Sequence, residues 1–170
     1  MKTILKFLCY AIFLNMFVLA CNPPKSDFTK EFAQKHTDKM IQDYINGDIN
    51  GIVDAYSEDA KMLEDGIPIV EGKEKILEST KALLGNIKFI KGSSEVIEVF
   101  SEKNLAYDMS YFNLTALIKK DSVVVENKWK HISIWRGQNN GEWKISRIIF
   151  NNRWYESNSF NYNYCFIPVI

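Results

Sequence analysis

The stretch Asn46–Gly72 constrains the fold more than any other part of the chain, because it combines a helix break, a short helix and an acidic turn. Gly47 permits the left-handed backbone at which helices end, and Asp48 is typical of a residue that caps a new helix by accepting backbone N–H groups. Apolar residues then recur at helical spacing: Ile49, Ile52, Val53 and Tyr56. The sequence therefore predicts a short amphipathic helix, followed by extended structure and an acidic turn at Glu64–Gly66.

Longer helices are predicted on both sides of the short helix, and strands are predicted after them. Apolar residues recur at helical spacing over 28–45 and again over 71–84. The chain then becomes rich in β-branched and aromatic residues, in four segments separated by short hairpin-like turns: Ile87–Phe100, Leu105–Ile118, Ser122–Trp135 and Glu142–Asn151. Helices that precede an antiparallel meander predict an α+β fold.

The order of these motifs resembles the nuclear-transport-factor-2-like superfamily, in particular its SnoaL-like and ketosteroid-isomerase-like branches. The resemblance rests on Gly47-Asp48, on Glu64-Asp65-Gly66, on the spacing of Gly72–Ile76 and on the last hairpin, Ile134–Ile145. It covers Asp27–Arg153. It implies a cone-shaped, curved antiparallel sheet that is wrapped around N-terminal helices, as in a cystatin-like roll, and that encloses one apolar cup. Because this fold hosts many unrelated activities, the resemblance does not by itself identify a function.

The first 20 residues predict a cleaved export signal, because Lys2 and Lys6 precede an apolar run at Phe7–Leu19. That run is shorter than the roughly 20 apolar residues of a membrane-spanning helix. The segment Val18–Cys21 resembles a bacterial lipoprotein signal, in which the cysteine becomes the lipidated first residue. An ordinary signal peptide that happens to contain Cys21 is the alternative.

These signals divide the chain into a signal peptide at 1–20, a lipidated cysteine and tether at 21–27, a SnoaL-like domain at 28–153 and a C-terminal tail at 154–170. We expect an exported protein that is lipid-anchored in a bacterial cell envelope, either facing the periplasm or in the outer membrane. The tail is rich in aromatic residues, which fits a strap across the cup, a dimer surface, or a segment that folds back over a sheet edge.

The composition argues against several classes of function. With 21 basic and 21 acidic residues, the chain shows no excess of positive charge of the kind that nucleic-acid binding needs. His36 and His131 are the only histidines, and their spacing with the three cysteines matches no metal site. We therefore expect no nucleic-acid partner, no metal and no cofactor.

Asp65 is the first candidate catalytic residue, because it matches the region in which the ketosteroid-isomerase branch carries its general base. The alignment leaves its neighbour Glu64 as an alternative. Burial of a carboxyl group in an apolar pocket raises its pKa and lets it exchange protons near neutral pH. A surface turn explains the same residues, since Asp and Gly are favoured by turn chemistry.

The rest of the isomerase apparatus is absent. The resemblance places Met40 at the position of the oxyanion-binding tyrosine and Ser133 at the position of the protonated aspartic acid. A methionine donates no hydrogen bond, and oxyanion donors are responsible for much of the lowering of the barrier. We therefore expect no ketosteroid isomerase chemistry.

Alternating residues on the last strands predict a binding cup. Every second residue of the third long strand shares one face, which the resemblance turns toward the cup. The strand before it contributes Tyr111, although the pattern leaves the orientation of that strand open, and the last strand contributes Ser146 and Ile148 beside Phe150. The predicted ligand-binding residues are Trp129, Ser133, Trp135, Tyr111 and Phe150. Since a mostly apolar pocket with a few polar groups suits a small, largely apolar molecule, we expect the domain to bind such a molecule in its cup.

His131 is the second candidate catalytic residue, because it lies between Trp129 and Ser133 on the face that is turned toward the cup. Paired with Asp65, it would give an acid/base pair for a lyase- or isomerase-type enzyme, as in dehydratase-like relatives. A lone histidine that only fills the interior explains the same residue.

The opposite face of the sheet predicts a different class of function. Its mixed apolar and basic residues would pair two sheets in a homodimer, as in many members of the superfamily: Ile132, Ile134, Ile145, Ile149, Lys128, Lys130 and Arg147. An assembly module of this kind predicts a filled cup. A binding protein or an enzyme predicts an open cup with Asp65 and His131 inside it.

Overall fold

A computed structural model describes residues 27–64 and 66–151 of the chain. In these residues it contains three helices, α1 Lys30–Asn46, α2 Ile49–Asp54 and α3 Lys73–Asn86, and six strands, β1 Tyr56–Glu64, β2 Val70–Glu71, β3 Ile87–Glu102, β4 Leu105–Ile118, β5 Val123–Gly137 and β6 Trp143–Asn151. The predicted signal peptide, Cys21, Asp65 and the predicted tail lie outside the described residues. Among the helices described, none has the length and apolar character to span a membrane.

The strands form one curved sheet in the order β2-β1-β6-β5-β4-β3. All neighbouring strands are antiparallel except β1 and β6, which run parallel. The predicted α+β class is confirmed, and the predicted meander is formed by β3 to β6. The sheet is mixed rather than wholly antiparallel, because β1 precedes α3 and joins the open edge of the last strand.

Local capping explains where the first two helices begin and end. Thr29 accepts a hydrogen bond from the backbone N–H of Phe32 at the start of α1. Gly47 ends α1 with a φ of 69°, and Asp48 caps α2 by accepting from the N–H of Gly51 at 3.0 Å. The helix break predicted at this point is confirmed.

The core lies between α1 and the inner face of the sheet, and we call the space between them the cup. An aromatic group closes one end of the cup, where the ring of Phe28 lies 5.4 Å from Trp135 and 5.0 Å from Trp143. The indole N–H of Trp143 donates to Asp27 at 2.8 Å, which fixes the start of the domain against β6.

A β-bulge shifts the pairing of β5 with β6. Ile134 lies opposite Arg147 but Trp135 lies opposite Ile145, so that Ser146 is the extra residue. The hydroxyl of Ser146 donates to the carbonyl of Ile134 at 3.0 Å. The prediction that Ile145 lies on the outer face is therefore wrong, since its side chain is 1 % exposed and lies in the core. Ser146, which was predicted to turn toward the cup, is buried in the bulge, where its hydroxyl is bound to the backbone.

Candidate functional site

The cup is almost completely filled. A cavity between α1 and the inner face of the sheet has a volume of about 10 Å³. A cavity needs a volume of at least roughly 10–15 Å³ to hold one water molecule, so this cavity has room for a single water-sized group. The cavity is lined by His36, Thr37, Met40, Phe112, His131, Ser133, Trp135, Ile145 and Ile148. Met40 and Ser133, which the sequence placed at the two donor positions of the isomerase branch, are both among these residues.

Asp108 is the most deeply buried charged residue at this site, with a side chain that is 0 % exposed. It lies on the inner face of β4, directly opposite Ser133 of β5. Its carboxylate accepts a hydrogen bond from the indole N–H of Trp135 at 2.5 Å and another from the hydroxyl of Ser110 at 2.6 Å. These donors compensate much of the cost of burying the carboxylate.

His131 lies beside this carboxylate. Its Nε2 is 3.5 Å from Oδ2 of Asp108, and its ring stacks on Phe112 with centroids 4.3 Å apart. Its other nitrogen, Nδ1, is buried and has no hydrogen-bond partner within residues 27–64 and 66–151. A buried polar atom without a partner is uncommon and requires an explanation.

Three of the predicted site residues lie together at the cavity, and two others lie farther along the inner face of the sheet. His131, Ser133 and Trp135 line the same cavity. Trp129 and Phe150 are half-buried on the inner face beyond it, with ring centroids 6.3 Å apart.

Tyr111 lies on the other face of the sheet. It is paired with Lys130 of β5, whose ammonium group is 5.9 Å from the centre of the tyrosine ring. The buried residues of β4 alternate with Tyr111 and are Asp108, Ser110, Phe112 and Leu114. The prediction that Tyr111 lines the cup is therefore wrong, because β4 turns its other face inward.

The predicted pairing of His131 with Asp65 remains a prediction, since Asp65 lies outside the described residues. Glu64, the alternative, is half-buried at the end of β1, opposite Phe150. Burial, aided by the negative charge of Glu64, raises the pKa of Tyr44 to about 12. Burial also raises the pKa of Tyr56, with smaller contributions from Tyr44 and Glu64. Both phenols therefore stay protonated at neutral pH.

Sequence reasoning missed Asp108 and Ser110 as members of the site. They alternate with Tyr107, Met109 and Tyr111, and the strand has both aromatic and polar residues on each face, so periodicity alone could not select the buried face. One signal was available: an inward-facing tryptophan needs an acceptor for its N–H.

His36 is half-buried and lines the same cavity. Its ring lies 4.2 Å from that of Phe32 and 5.7 Å from that of Trp135. Partial burial lowers the pKa of His36 below its ordinary value of 6.5, and the positive charges of Lys35, Lys144 and Lys39 lower it further. The folded protein therefore keeps this ring neutral at a pH at which the unfolded chain binds a proton.

We expect His36 to make the folded state less stable as the pH falls through 6.5 toward the lowered pKa. The reason is that the unfolded chain gains a proton in this range before folded His36 does. His36→Gln should remove this part of the decrease in melting temperature, measured by circular dichroism between roughly pH 5 and pH 8. An unchanged slope in the variant would contradict the assignment.

Comparisons with known proteins support the fold. No family model and no curated protein matches the chain. A ketosteroid isomerase-like protein from Erwinia carotovora atroseptica SCRI1043 matches with a TM-score of 0.64 and 21% identity, over 72% of this chain and 96% of that one. A nuclear transport factor 2-like superfamily protein from Salmonella enterica Typhimurium LT2 matches with a TM-score of 0.63 and 13% identity, over 78% and 96%.

A domain of unknown function with a cystatin-like fold from Nostoc punctiforme PCC 73102 matches with a TM-score of 0.61 and 13% identity, over 78% of this chain and 82% of that one. The chain thus has a nuclear-transport-factor-2-like, cystatin-like α+β fold, as the motifs predicted. At this level of identity the similarity extends to the fold alone.

Proposed function

We propose that the domain is an assembly module that pairs with a second copy of itself through the outer face of its sheet. The observation that carries the proposal is a group of apolar side chains on that face, which we call the outer patch: Phe100, Tyr107, Met109, Ile132, Ile134 and Ile149. Two rows of strand neighbours build it. Met109, Ile132 and Ile149 are consecutive partners in one row, and Phe100, Tyr107 and Ile134 in the other.

The outer patch is accessible to solvent. The side chains of Phe100, Ile132 and Ile149 are 54%, 41% and 44% exposed. Contiguous apolar surface of this kind on a folded domain typically marks an interaction site.

The charges around the outer patch fit a second copy of the same face. Glu95 and Glu98 of β3 flank it on one side. On the opposite side, the outer patch is flanked by Lys130 of β5 and Arg147 of β6. A two-fold axis that lies between the two outer faces, parallel to the strands, would bring the acidic side of one copy against the basic side of the other. Such an interface is self-complementary, and two sheets pack face to face in this way.

The size of the cup favours assembly over ligand binding. Pockets for small molecules usually enclose about 300–1,000 Å³. The cavity beside His131 offers about 10 Å³. A filled cup together with an exposed apolar face is the combination expected of an assembly module.

Ile132→Asp should weaken self-association by at least about tenfold, which corresponds to 1.4 kcal/mol or more. The reason is that the substitution places two like charges at the centre of the paired faces. Sedimentation over a series of concentrations measures the dissociation constant. Val124→Asp is the matched control, because Val124 is 57% exposed and lies toward the far end of the same strand. A protein that stays monomeric at every concentration, or equal effects of the two variants, would overturn the proposal.

A second candidate function is the binding of a small, largely apolar molecule in the cup. The unpartnered Nδ1 of His131 favours it, because His131 lies in a cavity wall that also contains apolar residues such as Met40 and Phe112. The ligand would need α1 to move away from the sheet. A ligand at a hundred times its dissociation constant adds about 2.7 kcal/mol to stability. A thermal-shift panel of steroids and polyketides with no response at all would exclude this candidate.

We also propose that the domain acts at the cell envelope, exported and anchored through lipid on Cys21. The support is the lipoprotein-type segment Val18–Cys21. Incorporation of a labelled fatty acid in bacteria tests it. Equal labelling of the wild type and Cys21→Ser would refute the anchor.

A further inference from the structure

We infer that Asp108 fixes the tautomer of His131, so that Nδ1 serves as a hydrogen-bond acceptor for one hydroxyl-sized donor in the cavity. The donor is water in the unliganded protein, or the hydroxyl group of an alcohol or phenol when a ligand is bound. The ligand arm of this inference rests on the second candidate function. In this arrangement Asp108 is a positioning residue, and His131 makes the contact with the donor.

The tautomer follows from the chemistry of the two partners. A carboxylate group only accepts hydrogen bonds. The carboxylate of Asp108 faces Nε2 of His131 at 3.5 Å, so the proton of the neutral ring belongs on that nitrogen. Trp135 and Ser110 hold the carboxylate in place with two shorter hydrogen bonds, at 2.5 Å and 2.6 Å. The second nitrogen, Nδ1, is then left with a free lone pair.

Burial favours the same arrangement. The residue His131 is 3% exposed, and its ring is covered on one side by Phe112. A proton on Nδ1 would be a buried donor with no acceptor among the described residues, which is costly. A bare Nδ1 needs only a donor, and His131 lines a cavity that can hold one.

The cavity has the size and the polar walls for such a donor. Its volume of about 10 Å³ suits one oxygen atom with its hydrogens. Thr37 and Ser133 line it beside His131 and offer hydroxyl groups. Since the hydroxyl of Thr37 donates to the carbonyl of Ala33 at 2.8 Å, its oxygen remains able to accept. A water molecule would thus find the two to four polar partners that buried waters usually have.

Nuclear magnetic resonance of protein labelled with ¹⁵N-histidine tests the tautomer directly. Long-range ¹H–¹⁵N correlations should show a protonated Nε2 and an unprotonated Nδ1 for His131 at neutral pH, with a cross-relaxation signal between the ring and water. His36→Gln assigns the spectrum by removing the signals of the other histidine. A protonated Nδ1 in the wild type, whether as the other tautomer or as the imidazolium, would overturn the inference.

Asp108→Asn tests the positioning role. The amide can present either its oxygen or its NH₂ group to His131, so the single tautomer should give way to a mixture or to the Nδ1-protonated form. Should this variant fail to fold, Ser110→Ala is the substitute, because it removes one of the bonds that orient the carboxylate and leaves the bond to Trp135. An unchanged tautomer in a folded Asp108→Asn protein would refute the role of Asp108.

A matched pair of probes separates water from a ligand hydroxyl. Phenol should shift the Nδ1 resonance of His131 and remove the water signal, whereas toluene, which lacks the hydroxyl, should do neither. If phenol also has no effect while the water signal and the tautomer persist, the acceptor site is supported as a water site and ligand binding fails. If the water signal is absent and no probe binds, the donor subsite is refuted.

Discussion

Trp135→Ala should lower the free energy of unfolding by about 5 kcal/mol, because large-to-small changes of a buried aromatic residue cost about 3–5 kcal/mol and the loss of a hydrogen bond adds to this. Trp135 is 2% exposed, and its ring packs on Phe28 at 5.4 Å. Its indole N–H is one of the donors to the fully buried Asp108. Removing the ring therefore opens a cavity and weakens the compensation of a buried carboxylate. Equilibrium unfolding in urea measures the change.

Trp135→Phe separates the two contributions. The ring of Phe retains most of the apolar contact but cannot donate to Asp108, so we expect a loss of about 1–3 kcal/mol from the unsatisfied acceptor. Equal losses in the two variants would show that the hydrogen bond carries the whole effect. A loss below about 2 kcal/mol in Trp135→Ala would contradict the packing argument, since that is less than such changes usually cost.

The elements of the fold could be predicted because their signals are local. Gly47 ends α1 in the left-handed conformation, and Asp48 caps the next helix through the N–H of Gly51. Both roles depend only on residues within a few positions. The alternation along β5 is also local, and it placed His131, Ser133 and Trp135 correctly on one face.

The buried face of β4 could not be predicted, because its selection depends on partners far away in the chain. Tyr111 and Asp108 lie on opposite faces. When the strand is considered alone, burial of the tyrosine is more favourable than burial of the aspartate. The buried position of Asp108 becomes favourable only when Trp135, on the neighbouring strand, supplies a donor. The bulge at Ser146 likewise depends on pairing between strands; it leaves Ile145 in the core, where an outer position was predicted, and Ser146 buried in the bulge.

The size of the cup could not be predicted from the sequence either, because the identity of the lining residues does not determine how closely α1 approaches the sheet. Gly92 on β3 reveals that distance. An added Cβ at this position would lie 2.9 Å from Cγ2 of Ile41 on α1 and 3.2 Å from the carbonyl oxygen of Asn113 on β4, and would also contact Leu114. Leu114 of β4 and Ile41 of α1 therefore fill the space over the backbone of Gly92, and this close approach of α1 leaves little room in the cup.

Gly92→Val should lower the free energy of unfolding by about 3 kcal/mol, at the upper end of the usual cost of overpacking. The branched side chain must displace Leu114, which would lie nearest, and push Ile41 away from the sheet. The carbonyl of Asn113 limits relief on the other side. Gly85→Ala is the matched control: Gly85 lies in α3, a Cβ there would meet nothing within 4 Å, and helix propensity predicts a gain of about 0.5–1 kcal/mol. Denaturant unfolding of both variants gives the comparison. A Gly92→Val protein as stable as the wild type would mean that α1 lies farther from β3 than in the structure. The cup would then be wider, and ligand binding in the cup would become better supported than assembly.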